Sequence, residues 1–152
     1  MIKILFICHG NICRSPMAEF ILKDMTEKCG LTDCLHIESA AVSREEIGND
    51  MYPPAKAELS RHGIPFDRRH ARQMTRDDYD SFDYIYVMDE SNISRMQRII
   101  ESDTEGKVHM LLERGIADPW YTGNFEDTYN DIAEGCRNII STLIERQKVA
   151  GK

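Results

Sequence analysis

Residues 4–20 read ILFICHGNICRSPMAEF, and this stretch sets both the first element of the fold and the chemistry nearest to it. An almost entirely apolar run, typical of a parallel strand covered on both faces, stops at Cys8. A short loop then leads to Ser15, a predicted N-cap, and to Pro16, a predicted first helical position. Because five residues separate Cys8 from Arg14, one loop carries both a potential nucleophile and a guanidinium.

Strands and helices alternate along the rest of the chain. Strands are predicted at 2–7, 35–42, 83–88 and 107–112, and helices after Ser15, Pro53, Asp89 and about Phe125. This alternation predicts one α/β domain with a parallel sheet and helices on both of its faces. In such sheets ligands bind at the carboxyl ends of the strands, where the strand order reverses. The loop from Cys8 to Arg14 is therefore the predicted binding site.

The residue types of this loop are those that bind an oxyanion, and the predicted oxyanion is a phosphoryl group. Backbone N–H groups of a tight loop and the N-terminus of the following helix attract anions, and the same helix and Arg14 favour a thiolate at Cys8. The planar fork of Arg14 can hold two phosphoryl oxygens at once. Gly10 and Asn11 tolerate the left-handed backbone that a ring-shaped loop requires. The alternative is a buried strand-end cysteine beside a surface arginine.

Composition and charge limit the kinds of molecule that the protein is expected to bind and the compartment in which it is expected to lie. The 152 residues carry a net charge of -7, which argues against nonspecific nucleic-acid binding. Arg68, Arg69, Arg72 and Arg76, close to His70, form either a solvated basic face or a phosphate-directed patch. An odd number of cysteines without paired C-x-x-C spacing favours reduced thiols over disulfides or zinc. No signal peptide or membrane span is predicted, so that a cytoplasmic protein is expected.

The segment CHGNICRSP at 8–16 resembles the signature of the low-molecular-weight protein tyrosine phosphatases. Further landmarks follow in family order: SAAVS at 39–43, HARQ at 70–73, FDYI at 82–85, MDESN at 88–92 and DP at 118–119. The resemblance covers essentially the whole chain. It implies a single phosphatase domain over 1–152, with a flavodoxin-like, three-layer fold and a four-stranded sheet of order 2-1-3-4.

The resemblance implies a two-step reaction without metal or cofactor. Cys8 would attack phosphorus to give a phosphocysteine while Asp118 protonates the leaving oxygen, and Asp118 would then act as base for the attacking water. Arg14 and the loop amides would stabilise the charge on the phosphoryl group. The implied substrate is a phosphotyrosine protein or peptide, the product is inorganic phosphate, and a monomer without nucleic-acid or membrane partners is expected.

Other positions receive implied roles from the same resemblance. The phosphate-binding loop would comprise His9, Gly10, Asn11, Ile12, Cys13 and Ser15, with Ser15 bonded to the Cys8 sulfur. Asn11 would hold the loop through Ser39 and His70, and Cys13 could form a reversible disulfide with Cys8. The alternatives are a plain N-cap for Ser15, an exposed histidine at 70 and a small buried side chain at 13.

Departures from the family pattern concentrate at the predicted substrate rim, which consists of Glu45, Glu46, Trp120 and Tyr121. His9 replaces a residue that is often apolar, and Arg44-Glu45-Glu46 stands where an aromatic wall residue is common. The segment Ser39-Ala40-Ala41 lacks the usual glycine. Trp120 and Tyr121 are expected to supply the aromatic wall instead.

Three alternative functions are compatible with a loop of this kind. Arginine phosphatases carry a threonine where Ile12 stands, and Ile12 favours a phenolic substrate. Arsenate reductases need further cysteines after the third strand, and residues 88–94 contain none. A noncatalytic phosphate-binding module would be expected to lack the nucleophile or the acid, whereas Cys8, Arg14 and Asp118 are all present.

Overall fold

The computed structural model describes the backbone of residues 1–150 and the side-chain environments of residues 1–146. The strands are β1 (Ile2–Cys8), β2 (Leu35–Ala41), β3 (Tyr84–Val87) and β4 (Val108–Met110). The helices are α1 (Arg14–Lys28), α2 (Pro53–Arg61), α3 (Arg76–Ser81), α4 (Glu90–Ile100), α5 (Pro119–Thr122) and α6 (Phe125–Ala150). None of the helices in the described part of the chain has the length and apolar character of a membrane span.

The sheet is parallel throughout, in the order β2-β1-β3-β4, which confirms the predicted flavodoxin-like arrangement. β1 lies between β2 and β3, with Cys8 paired to Ala41 and Ile7 paired to Val87. The chain runs from β1 to β2 on one side and then from β2 back across to β3 on the other, so the strand order reverses beside β1, where ligands bind in doubly wound sheets. Cys8, the last residue of β1, therefore lies at the predicted end of the sheet.

The near-continuous apolar run of β1 is explained by burial on both faces. Ile4 and Phe6 pack under α1, α2 and α6, whereas Leu5 and Ile7 pack under α3 and α4. All four side chains are completely buried. Side chains alternate between the faces of a strand, so each face of β1 needs its own apolar set.

The start of α1 corrects the sequence prediction. The helix begins at Arg14, with Cys13 in the N-cap position and no side-chain cap, so Ser15 is the second helical residue and not the N-cap. Pro16 is accordingly the third helical residue. The Ser15 hydroxyl is used elsewhere, because it bonds to Asn11 and approaches Cys8 in the interior. The predicted cap at Asp89 is confirmed, where the carboxylate accepts the Asn92 amide at 3.0 Å.

Two short helices, α3 and α5, were not predicted. Both span fewer than two turns, which is too short for an apolar periodicity to be detected. A signal was available for α3, because Thr75 and Asp78 form a capping box at its start. At α5, Asp118 occupies the N-cap position and Pro119 the first helical position.

Candidate active site

The loop after β1 folds around the Cys8 sulfur. The Asn11 amide donates a hydrogen bond to Cys8 Sγ at 3.3 Å, and Ser15 Oγ lies 3.0 Å from the same sulfur. The first amides of a helix lack intrahelical acceptors, and those of Arg14 and Ser15 belong to this set. Cys8 is only 3% exposed, at the floor of a cavity of about 130 Å³. The loop thus presents a sulfur, amides and a helix N-terminus to one small cavity.

Asn11 is the residue that shapes the loop. Its backbone is left-handed, with φ at 61°, and its side chain is completely buried. The Asn11 amide nitrogen Nδ2 donates to Ser15 Oγ at 2.8 Å and to Ser39 Oγ at 3.0 Å. The carbonyl oxygen Oδ1 accepts the Arg72 backbone N–H at 3.2 Å and a bond from Arg69 Nη2. The predicted contact between Asn11 and Ser39 is present.

The predicted contact between Asn11 and His70 is absent, and this assignment is corrected. His70 Nδ1 lies 2.9 Å from the Gly48 carbonyl, on the exposed side of the segment, and the side chain that reaches Asn11 is Arg69. Side chains alternate along an extended segment, so when Arg69 and Ala71 point inward His70 points out. No pattern in the sequence identified Arg69, because the directions of the side chains in this irregular segment depend on the tertiary structure.

Gly10 requires a second correction. Asn11 has positive φ whereas Gly10 does not, so glycine is not needed there for a left-handed backbone. A Cβ at position 10 would lie 3.2 Å from Glu46 Cγ. Glycine at this position therefore accommodates the close approach of the rim segment to the loop.

Arg14 is held by three acceptors at the carboxyl ends of the strands. Nη1 donates to Asp89 Oδ2 at 2.6 Å and to the Ile116 carbonyl at 2.8 Å, and Nη2 lies 3.5 Å from Asp118 Oδ2. Burial disfavours the charge, yet Cys8 and the two carboxylates raise the pKa of Arg14 above its ordinary value. The guanidinium is therefore a permanent, oriented cation beside Cys8.

Asp89 is a site residue that the sequence reading recognised only as a helix cap. Burial alone would raise its pKa, but the charge and hydrogen bond of Arg14, with the bonds from Ser91 and the Asn92 amide, together outweigh burial and lower it below the ordinary value. One oxygen caps α4 through Asn92 and the other orients Arg14. The sequence did place Asp89 immediately after a predicted strand, and the carboxyl ends of β1 and β3 lie side by side at the site.

Asp118 shares the cavity with Cys8 and Arg14. Its Oδ1 accepts the Trp120 amide at 3.1 Å, which fixes the orientation of the carboxyl group as the N-cap of α5. The second oxygen, Oδ2, lies near Arg14. A proton donor and acceptor thus lies at the same cavity as the sulfur.

The rim of the cavity is more exposed. His9 Nε2 lies 3.0 Å from Glu45 Oε2, and Glu46 accepts a bond from Asn49. Trp120 and Tyr121 both line the cavity and are 52% and 83% exposed. These residues lie where the sequence placed the rim.

Tyr52 supports the rim and was missed by the sequence reading. Its ring packs against Trp120, with 4.8 Å between the ring centroids, and against Phe125 at 6.1 Å. Its position immediately before Pro53-Pro54 gave no functional signal.

Cys13 is a buried thiol that also lines the cavity, and it packs with Ile12 and Ala71. Burial, followed by the charges at Cys8 and Asp118, raises the pKa of Cys13, so this sulfur stays protonated and does not compete as a nucleophile. Its disulfide with Cys8 stays a prediction. In the part of the chain that the structure describes, no group of three or more His, Cys, Asp or Glu side chains is arranged to hold a metal ion.

Comparison with known proteins places the chain in a family. The low molecular weight protein-tyrosine-phosphatase YfkJ of Bacillus subtilis is 38% identical over 98% of this chain and its own full length. The crystal structure of YfkJ superposes with a TM-score of 0.91 at 37% identity, covering 96% of each chain.

Two further solved structures bear on the site. The low molecular weight protein tyrosine phosphatase SP-PTP of Streptococcus pyogenes gives a TM-score of 0.90 at 36% identity, covering 99% of this chain and 98% of that one. The Drosophila arginine phosphatase gives a TM-score of 0.84 at 30% identity, covering 93% of this chain and 98% of that one. Residues 3–149 match the family profile, and the chain belongs to the low molecular weight phosphotyrosine protein phosphatase family.

Proposed function

We propose that this chain hydrolyses phosphotyrosine in proteins through a phosphocysteine intermediate at Cys8. The observation that carries the proposal is the convergence of Cys8, Arg14 and Asp118 on one cavity. A nucleophile, a cation and a carboxyl group are the three parts that metal-free phosphoryl transfer needs. We also propose that the whole of 1–152 forms a single phosphatase domain, which the family match over 3–149 supports.

In the first step, the Cys8 thiolate attacks phosphorus and the bond to the tyrosine oxygen breaks. The leaving oxygen takes the proton of Asp118, because a departing phenolate needs a donor. Arg14 and the loop amides bind the phosphoryl oxygens, and they are already oriented by Asp89 and by the Asn11 bonds. Preorganised donors of this kind stabilise charge that develops in the transition state.

In the second step, water attacks the phosphocysteine and gives up a proton to Asp118. The bond between sulfur and phosphorus breaks, and inorganic phosphate leaves. Ser15, at 3.0 Å from Cys8 Sγ, can donate a hydrogen bond to the departing thiolate. Asn11 orients Ser15 through its 2.8 Å bond, so Asn11 acts as a positioning residue.

The direct test is hydrolysis of p-nitrophenyl phosphate by the wild type, Cys8→Ser and Asp118→Ala. We expect the serine variant to lose activity by at least about 10⁴-fold and the alanine variant by about 10²- to 10³-fold. Cys136→Ser is the matched control, because Cys136 is buried in the core under α1 and outside the cavity. An inactive wild type, or full activity of Cys8→Ser, would contradict the mechanism.

A second candidate function is arginine phosphatase, because the Drosophila arginine phosphatase is a structural relative. Ile12 lines the cavity here and packs in an apolar cluster with Tyr52 nearby, which supports a phenolic leaving group. We expect phosphotyrosine peptides to be preferred over phosphoarginine peptides in kcat/KM. The opposite preference would overturn the assignment of substrate.

We further propose that the enzyme acts as a cytoplasmic monomer. Cys8, Cys13, Cys29 and Cys136 are free thiols, which suits a reducing compartment. Light scattering after gel filtration should give the mass of one chain, 17.5 kDa. A dimer at micromolar concentration would contradict this expectation.

A further inference from the structure

A second concavity lies beside the active-site cavity, between the segment after β2 and helix α4. It encloses about 720 Å³, with an apolar floor of Val42, Met74 and Ile99. Three guanidinium side chains, Arg44, Arg95 and Arg98, form its walls, and we call it the arginine groove. Sequence reading had singled out the Arg68–Arg76 cluster as basic, and the arginine groove is a different surface.

The charges of the groove are unbalanced. The side chains of Arg95 and Arg98 have no hydrogen bond or ion pair with any residue that the structure describes, and all three arginines are exposed. Arg44 donates through Nε to the neutral Oε1 of Gln73 at 3.1 Å. The single carboxylate in the lining belongs to Glu45, which is bonded to His9. On a chain of net charge -7, this is a local excess of positive charge.

Several other arginines on this molecule are paired with carboxylates. Arg14, Arg72 and Arg114 each contact two carboxylates. Unpaired guanidinium groups around an apolar floor are suited to bind an anionic ligand that also carries apolar atoms.

The groove adjoins the active-site cavity. Glu45 lines both. The groove floor is also tied to the reaction loop, because the Val42 amide donates to the Cys8 carbonyl and the Ser43 amide to the His9 carbonyl, both at 3.1 Å. Gln73 Nε2 donates to the Val42 carbonyl at 3.2 Å and thereby fixes the segment that carries Arg44. A peptide chain that leaves the cavity past Glu45 therefore lies next to the groove.

We propose that the arginine groove binds acidic side chains that lie close in sequence to the phosphotyrosine of a protein substrate. The proposal rests on the proposed phosphatase function and specifies its substrate class. The glutamates or aspartates pair with Arg95, Arg98 and Arg44, and apolar neighbours contact Ile99 and Val42. The occupant is an extended peptide segment because the groove adjoins the cavity that holds the phosphorylated residue.

The test compares kcat/KM for phosphotyrosine peptides whose flanks carry runs of glutamate, glutamine or lysine, on either side of the tyrosine. At low salt we expect the glutamate peptide to exceed the glutamine peptide by about fivefold or more on one side, since several exposed ion pairs form together. In the double variant Arg95→Gln/Arg98→Gln this ratio should fall to within about twofold. Arg137→Gln, which removes one positive charge from α6 across the sheet, should keep the wild-type ratio.

A second readout does not depend on turnover. The affinity of the Cys8→Ser protein for a fluorescent glutamate-flanked phosphotyrosine peptide should fall when the groove arginines are replaced. An equal response to all flanks, or a preference that survives in the double variant, would overturn the proposal. The proposal would also be overturned if the double variant lost binding to phosphatidylserine vesicles and showed no change with the peptides. Absence of p-nitrophenyl phosphate hydrolysis in the wild type would instead contradict the proposed function, and the affinity measurement would still decide the groove.

Discussion

The reaction loop and its rim adjoin the same cavity but are held very differently. In the loop, Asn11 and Ser15 are completely buried, and Arg14 is 2% exposed with both of its terminal nitrogens bonded. At the rim, Tyr121 is 83% exposed, and the bonds of Glu45 to residues that the structure describes are those with His9 and, through its amide, with Ser43 Oγ. Buried side chains whose polar groups are all hydrogen-bonded are held in one geometry, whereas exposed side chains can change conformation when a substrate binds.

This difference separates chemistry from recognition. The loop fixes the positions of sulfur, guanidinium and amides before substrate arrives, which is what stabilisation of a phosphoryl transition state requires. The rim contributes contacts that depend on the substrate attached to the phosphate. Changes in the loop should therefore alter every substrate alike, and changes in the rim should alter substrates selectively.

The largest effect is expected from Arg14→Lys. Lysine keeps the charge but cannot donate to Asp89, Ile116 and the phosphoryl oxygens at the same time. We expect kcat/KM for p-nitrophenyl phosphate to fall by about 10³-fold. Arg114→Lys is the matched control, because Arg114 forms exposed ion pairs with Asp131 and Glu134. Its kcat/KM should equal that of the wild type. Retention of more than a tenth or so of the activity in Arg14→Lys would mean that charge alone suffices.

A smaller loss is expected from Asn11→Ala. Alanine removes the bonds to Ser15 and Ser39 and must adopt the left-handed backbone of position 11. We expect kcat to fall by about 10- to 100-fold and the free energy of unfolding by about 2 kcal/mol. Urea unfolding and steady-state kinetics measure the two. Asn138→Ala, on the exposed side of α6, should change neither, and a loss of stability without loss of kcat would show that loop shape is not limiting.

Asp50→Asn tests how firmly the segment behind the rim is held, since Asp50 follows Glu46 by four residues. Burial alone would raise the pKa of Asp50, but Lys56 and the Met51 and Arg69 amides lower it from 3.8 to about 2. Because the folded pKa is lowered, its stabilisation is present above the unfolded pKa and is lost as the pH falls towards 2. At neutral pH we expect the variant to be about 1–2 kcal/mol less stable.

The measurement for Asp50 is urea unfolding of both proteins from neutral pH down to about pH 3. The difference in free energy of unfolding between wild type and variant should shrink as the pH falls. A difference that is constant with pH would assign the effect to shape and not to the charge of Asp50.

The smallest and most selective effect is expected from Trp120→Ala. Trp120 is half exposed and rests on Tyr52. We expect kcat/KM for p-nitrophenyl phosphate to change by less than about threefold, and for a phosphotyrosine peptide to fall by about 2- to 10-fold through loss of an aromatic contact. An equal fall for both substrates would place Trp120 in the chemistry of the loop and weaken the distinction.

The sequence could predict the sheet, four of the six helices and the residues of the loop, because each has a local signal. The buried run before Cys8 marks β1, and Asp89 marks the start of α4. It could not predict that Arg69 and not His70 reaches Asn11, since that depends on the direction of side chains in an irregular segment. Nor could it predict that Asp89 is a partner of Arg14, because the two residues are 75 positions apart and meet only when the ends of β1 and β3 lie side by side.

The most direct test of the central claim is to trap the phosphorylated enzyme. Asp118→Asn lacks the base for the second step, while p-nitrophenol leaves easily without an acid, so phosphocysteine should accumulate. Acid quench during turnover, followed by digestion and mass spectrometry, should find phosphate on the peptide containing Cys8. Its absence after further Cys8→Ser replacement is the control. Phosphate on another residue such as His9 or Asp89, or no phosphorylated peptide while p-nitrophenol is released, would contradict the account.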